Sequence, residues 1–188
     1  MVKLFVFLGN PGAGYRFTRH NLAWLALENF APAKNLSWKA KFKGEFALVP
    51  GSGGDKRIFL KPGTFMNLSG QCLSQAAGFF KVCPREILVV HDDTELALGK
   101  FQLRLGGGLG GHNGLRSLAA QLGTGGFYRL RLGIGRPARG DLAGFVLGRF
   151  SPQEEEELKK LYPKIESLLT ALLAGEPEEE NEKGLAES

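Results

Sequence analysis

Leu4-Phe5-Val6-Phe7-Leu8 runs without a break into Gly9-Asn10-Pro11-Gly12, five apolar residues of strand length ending in a turn. The five show no polar alternation, so the strand is expected to be buried on both faces. The pattern recurs where Ile87-Leu88-Val89-Val90 leads directly into His91-Asp92-Asp93. Around these runs the periodicity alternates. Leu22, Leu25, Ala26 and Phe30 fall at helical spacing, and Trp38 to Val49 with Ile58-Phe59-Leu60 reads as a hairpin across Gly51-Ser52-Gly53-Gly54. Asn67 is placed to cap a helix that buries Leu68, Cys72, Leu73, Ala76 and Phe79-Phe80. Strands are then expected over 87–91, 100–105 and 128–134, with a helix over 112–122. Ser151-Pro152-Gln153-Glu154 opens the last helix with a cap serine, a proline at the first position and a glutamate at the third. Its stripe runs from Leu158 to Leu173, and Gly175 and Pro177 stop it. Strands alternating with helices make this an α/β sheet covered on both faces, with ligands expected just beyond the carboxyl ends of its strands.

One domain accounts for the chain. Its 188 residues, 43% of them hydrophobic, bury a sizeable core, and neither an internal repeat nor a second domain is visible. The expected boundaries are a catalytic unit over 1–175 and an acidic, disordered tail over 176–188. The apolar run at the amino terminus is too short for a secretory signal or a membrane span. Cys72 and Cys83 lie outside any zinc-like spacing and fit a reducing compartment, so a soluble cytoplasmic protein is expected.

Charge is distributed unevenly. Residues 151–188 hold 4 Lys and 11 Glu, a net −7, which leaves residues 1–150 with 20 Lys and Arg against 8 Asp and Glu, a net +12. So basic a domain favours a polyanion, and a nucleic-acid backbone is the commonest one.

The chain has only three histidines, His20, His91 and His112, and each stands beside Asn or Asp. Histidine carries most general acid–base chemistry near neutrality. Gly106 to Gly114 lacks the Gly-Lys-Ser/Thr ending of a phosphate loop, so it fits a backbone nest or a mobile rim better than a nucleotide cradle. His91-Asp92-Asp93 with Glu95 lacks the spacing of a metal site, and no metal is expected. A strand-end carboxylate more economically orients a histidine from another segment. Neither cysteine adjoins a histidine motif and no Gly-x-Ser-x-Gly elbow occurs, so direct attack by histidine-activated water is favoured over a covalent intermediate. Asn10, Asn67 and Asn113 supply amides able to donate to a carbonyl oxygen; for Asn21 capping or turn formation is the preferred reading. Phe65 and Met66, beside Asn67, form either a pocket wall or ordinary core.

Taken in order, these motifs resemble the bacterial peptidyl-tRNA hydrolase family. The matching stretches are Leu8-Gly9-Asn10-Pro11-Gly12 with Tyr15 and Thr18-Arg19-His20-Asn21; Lys61-Pro62-Gly63-Thr64-Phe65-Met66-Asn67-Leu68-Ser69-Gly70; His91-Asp92-Asp93 through Leu98-Gly99; Gly106 through Gly114; and Arg129 through Pro137. Phe145-Val146-Leu147-Gly148 and Phe150-Ser151 extend the similarity.

The resemblance implies a monomeric α/β domain with a mixed, mostly parallel sheet. It also implies hydrolysis of the ester joining a peptide to the terminal ribose of tRNA, without cofactor and without an obligate protein partner. Carried onto this chain, His20 is the general base and Asp92 orients it. Asn10 helps distinguish a blocked α-amino group from a free one, while Asn67 and Asn113 hold the substrate and support the oxyanion. Tyr15, Phe65 and Met66 line the cleft, with His112 beside them orienting its loop, and His91 is structural. Arg104 and Arg131 meet phosphate, with Arg136 and Arg139 adding to the patch and tRNA bound without regard to base sequence. Two other classes stay open, a non-enzymatic RNA-binding module on the same fold and a small-molecule esterase or nucleosidase.

Overall fold

Leu4, Phe5, Val6 and Phe7 are fully buried and form β1 (Leu4–Phe7), the strand about which the molecule is organised. The structure, a computed structural model, describes residues 1–137 and 140–176. β1 pairs in parallel with β4 (Lys56–Pro62) on one side and with β5 (Ile87–Asp93) on the other. β5 in turn pairs in parallel with β7 (Tyr128–Gly133). The edges are antiparallel, with β2 (Lys39–Lys41) and β3 (Gly44–Pro50) beyond β4 and β6 (Phe101–Leu105) beyond β7. The seven-stranded order is β2-β3-β4-β1-β5-β7-β6. It is the mixed, mostly parallel sheet that was expected.

Two apolar layers cover it. Phe5, Phe7, Leu88, Val90 and Leu130 face one side, packed by α1 (Leu22–Asn29) and α5 (Pro152–Leu173). Leu4, Val6, Leu60 and Val89 face the other, packed by α2 (Ser69–Phe80) and α3 (Asn113–Leu122). β1 is followed by α1 on one face, and the connection from β5 to β7 carries α3, after β6, on the other, so a crevice opens at the carboxyl ends of β1 and β5. At Gly70, where α2 crosses α3, a Cβ would stand 2.1 Å from the Ser117 carbonyl oxygen, and the Gly70 N–H donates to Ser117 Oγ at 3.0 Å.

Several local expectations need correction. The stretch 38–49 is not one strand; it is folded into the β2–β3 hairpin at Phe42 and Lys43, both with φ of 59°. Asn67 does not cap α2. It lies exposed in a short 3-10 turn (Met66–Leu68), and Leu68 occupies the cap position without a side-chain bond. A short helix, α4 (Leu142–Leu147), precedes α5 and is capped by Asp141, whose carboxylate accepts from the Ala143 and Gly144 amides at 2.9 Å each. The capping box of α5 forms as read, with Ser151 Oγ accepting from Glu154 N and Glu154 Oε2 from Ser151 N. Arg139 and the tail beyond Glu176 lie outside the described residues. Among the described residues no helix is long and apolar enough to cross a membrane.

Candidate functional site

A cleft of about 880 Å³ occupies the crevice, and its walls include Asn10, Tyr15, His20, Phe65, Met66, Asp92 and His112. Asp92 is its electrostatic centre. It is the penultimate residue of β5, paired with Leu132 of β7 and 2% exposed, so His91-Asp92-Asp93 ends the strand rather than following it. One carboxylate oxygen, Oδ1, receives two histidines: His20 Nδ1 at 2.8 Å and His112 Nε2 at 3.0 Å. Burial alone would raise the Asp92 carboxyl. The charges and hydrogen bonds of His112 and His20 outweigh that and hold it well below the usual carboxylate range.

The tautomers follow from these partners. A carboxylate oxygen only accepts, so His20 carries its proton on Nδ1 and its Nε2 is left at the cleft without a partner among the described residues. His112 caps α3 with its ring, Nδ1 accepting from the Gly114 and Leu115 amides at 3.1 and 3.3 Å. Nδ1 is thereby held without a proton, and Nε2 is the nitrogen that donates to Asp92. The two rings lie 4.8 Å apart between centroids.

His91 is 1% exposed; its Nδ1 donates to the Asp92 carbonyl at 2.6 Å and its Nε2 is buried without a partner. Burial, then the neighbouring His112, pushes its pKa down to about 3, against weaker opposition from Asp92 and Asp93. The unfolded chain protonates this ring near 6.5. A neutral buried His91 therefore contributes its full stability above about pH 6.5 and loses it as the pH falls toward 3. Denaturant titrations should show stability falling as the pH is lowered between these limits, with the slope of one proton taken up by this ring on unfolding. His91→Asn, whose Nδ2 replaces the donor to the Asp92 carbonyl, should flatten that slope; an unchanged slope would place the proton uptake elsewhere.

Asn10 is held rigidly. Asn21, fully buried, accepts from Asn10 N at 2.8 Å and donates to Asn10 O at 3.0 Å, so it clamps a backbone rather than capping a helix. Asn10 Oδ1 accepts from the Met66 amide at 2.7 Å, which leaves Nδ2 as the donor offered to the cleft. Met66 is buried in the core layer behind the cleft, whereas Phe65 is 52% exposed and meets Tyr15 edge-on at 6.0 Å. Asn67 and Asn113 are both exposed on the rim.

The glycine-rich rim is anchored from below. Gly107 and Gly110 have φ of 97° and 57°, conformations that a side chain would strain. Arg129, 3% exposed on β7, donates through its two terminal nitrogens to the Gly107 and Gly108 carbonyls. Burial and the adjacent Arg104 and Arg131 lower its pKa. Arg104, paired through its backbone with Arg129, is exposed, and its guanidinium bonds to no described residue. Arg131 is partly buried, with Nε on Asp93 Oδ2 at 2.7 Å and Nη1 on Gln102. Arg136 is paired with Glu95 at the surface.

Two contributors escape the sequence reading. Arg129 is one among many basic residues until the fold places it under the loop. The apolar residues of α4, Leu142, Val146 and Leu147, form a cleft wall signalled only by Asp141 standing before an apolar run. His20, Asp92 and His112 are also the one group among the described residues with the donor set of a metal site, one ligand atom from each lying within 4.8 Å. To bind an ion there, His20 and His112 would give up the N–H bonds that now converge on Asp92 Oδ1.

The model of the peptidyl-tRNA hydrolase family matches residues 4–186. The chain is 44% identical over 175 residues to the peptidyl-tRNA hydrolase of Geotalea uraniireducens, covering 92% of this chain and 90% of that one. It is 46% identical over 178 residues to that of Paracoccus denitrificans, covering 93% and 74%. The crystal structure of the peptidyl-tRNA hydrolase from Acinetobacter baumannii superimposes with a TM-score of 0.85 at 34% identity, covering 93% of this chain and 89% of that one.

Proposed function

Because the chain belongs to the peptidyl-tRNA hydrolase family, we propose that it hydrolyses the ester between a peptide and the terminal ribose of tRNA, with His20 activating water. The observation that carries this mechanism is the 2.8 Å bond from His20 Nδ1 to Asp92 Oδ1, which leaves Nε2 open to the cleft. Nε2 takes a proton from water as the oxygen attacks the ester carbonyl. Asp92 stabilises the imidazolium so formed, the role of the acid in a catalytic triad. The tetrahedral oxyanion is met by amide donors on the rim, Asn67 and Asn113. It collapses by expelling the ribose oxygen, which recovers the proton from His20. Free peptide and tRNA are the products, and every step uses only water and side chains.

Asn10 supplies the selectivity. Its Nδ2 donates to the carbonyl of a blocked amino group, whereas a free α-ammonium would set donor against donor. Tyr15 and Phe65 form an apolar wall for the peptide, with Met66 behind them. Phosphate is met by exposed Arg104 and by Nη2 of Arg131, which bonds to no described residue, within a region carrying +12. Residues 1–175 form the catalytic unit, acting as a monomer. The soluble, basic character of that unit fits work in the cytoplasm.

N-acetylated aminoacyl-tRNA and its unblocked counterpart test the reading directly. Cleavage of the blocked ester only is expected, with binding falling steeply as salt rises. Binding without cleavage would identify an RNA-binding module instead. Turnover of short esters independent of RNA would identify a general esterase.

A further inference from the structure

Arg19 adjoins His20 in sequence, yet its guanidinium makes no bond to Asp92 or to either of the other histidines. It reaches across to the segment that joins α4 to α5. Nη1 donates to the Arg149 carbonyl at 2.7 Å, and Nη2 lies 3.0 and 2.8 Å from the two oxygens of Glu154. The guanidinium plane also covers Phe145 at 4.4 Å and Phe150 at 5.3 Å. The backbone repeats the connection, for Arg19 N donates to Gly148 O at 2.9 Å and Thr18 bridges Arg149.

These ties matter because α4 is shallowly seated, with only Phe145 and Val146, both half-buried, packed against the core. None of its six residues is buried, and Leu142 and Leu147 are each 44% exposed at the cleft. Asp141 caps only the helix's own amides, so among the described residues the polar tie of α4 to the rest of the molecule is the junction that Arg19 clasps. Glu154 completes the clasp by closing the α5 capping box and the ion pair with the same carboxylate. The partners are partly screened from solvent, with side-chain exposures of 12% and 26%, so the charge-assisted bonds are stronger than those of a surface pair.

We propose that Arg19 is a positioning residue for the proposed reaction, holding α4 in place as the cleft wall that receives the substrate. The inference rests on this cleft being where the ester is bound. Without Arg19, α4 is docked for only a fraction of the time, and the apparent affinity falls by that fraction. Chemistry at His20, once substrate is bound, is unchanged.

Steady-state kinetics on N-acetylated aminoacyl-tRNA, together with amide hydrogen exchange, test this in Arg19→Gln, Arg19→Lys and Glu154→Gln. Glutamine at 154 keeps the capping role of that position and removes only the charge facing Arg19. Arg19→Gln should raise KM roughly 3- to 30-fold with kcat within about twofold, and should speed exchange across residues 142–150. Arg19→Lys should recover part of the loss, and Glu154→Gln should move the same way by less. If Arg19→Gln fails to fold, Glu154→Gln carries the test. A fall in kcat with KM and α4 exchange unchanged would overturn the inference, as would no change in any of the three. Exchange is read without substrate, so an enzyme inert toward the ester would sink the proposed reaction alone while α4 exchange still decides the anchor.

Discussion

Replacing His20 with alanine is expected to lower kcat/KM on the blocked ester by about 10²–10⁴, the usual contribution of a positioned general base. The structure leaves no substitute among the three histidines. His112 has both ring nitrogens engaged, Nδ1 by the Gly114 and Leu115 amides and Nε2 by Asp92. His91 bonds the Asp92 carbonyl through Nδ1, and its other nitrogen is sealed in the core. Only His20 presents an unengaged ring nitrogen to the cleft. The variant should remain folded, because Asp92 retains the His112 donor and the removed ring opens onto the cleft, not into the core. Circular dichroism and a thermal melt establish that the loss is chemical. Added imidazole should restore part of the rate by entering the vacated space. A fully active alanine variant would remove His20 from the mechanism and leave Asp92 as the remaining candidate base.

How much of this could be read in the sequence depended on whether local chemistry or tertiary contact made the decision. The buried strands β1 and β5 were legible because apolar runs bounded by turn residues have few other readings. The α5 start was legible because its serine, proline and glutamate are themselves the cap. The β2–β3 hairpin was not. Its turn uses Phe42 and Lys43 at positive φ, where asparagine and glycine would have announced it, and the Phe42 ring is held in place by Phe46, Phe79 and Phe80. Packing partners distant in sequence override the local preference there.

The site divides in the same way. His20, Asp92 and Asn10 stood out because reactive residue types followed strand ends or turns. Asn21 invites a reading as a cap or a turn residue because asparagine before a helix usually is one; its task of gripping the Asn10 backbone exists only once residues eleven apart are brought together. Arg129 and Arg19 were invisible for a related reason. An arginine declares a positioning role through what it touches, and the Gly107, Gly108 and Glu154 partners are set by topology.

Asp92→Asn is the more discriminating substitution, because His112 dictates how the new amide must sit. An asparagine offers an oxygen on one side and an NH₂ group on the other. If NH₂ faced the histidines, it would meet the Nε2–H of His112, donor against donor. His112 cannot change tautomer to relieve this, since its Nδ1 is needed as the acceptor that caps α3. The amide oxygen is therefore forced into the place of Oδ1, where it accepts from both rings and keeps His20 in its productive tautomer. What disappears is the negative charge that stabilises the imidazolium. The expected loss in kcat is about 10²–10³, short of the roughly 10⁴ that accompanies a wrong tautomer in the serine-protease triad. His112→Ala tests the constraint. Alone it should cost little in kcat, because the carboxylate still holds His20. Combined with Asp92→Asn it frees the amide to turn its NH₂ toward His20, and the loss in the double variant should exceed the product of the two single losses. A double variant no worse than that product would mean that Asp92 acts on His20 by charge alone and that the His112 cap does not set the orientation of the base.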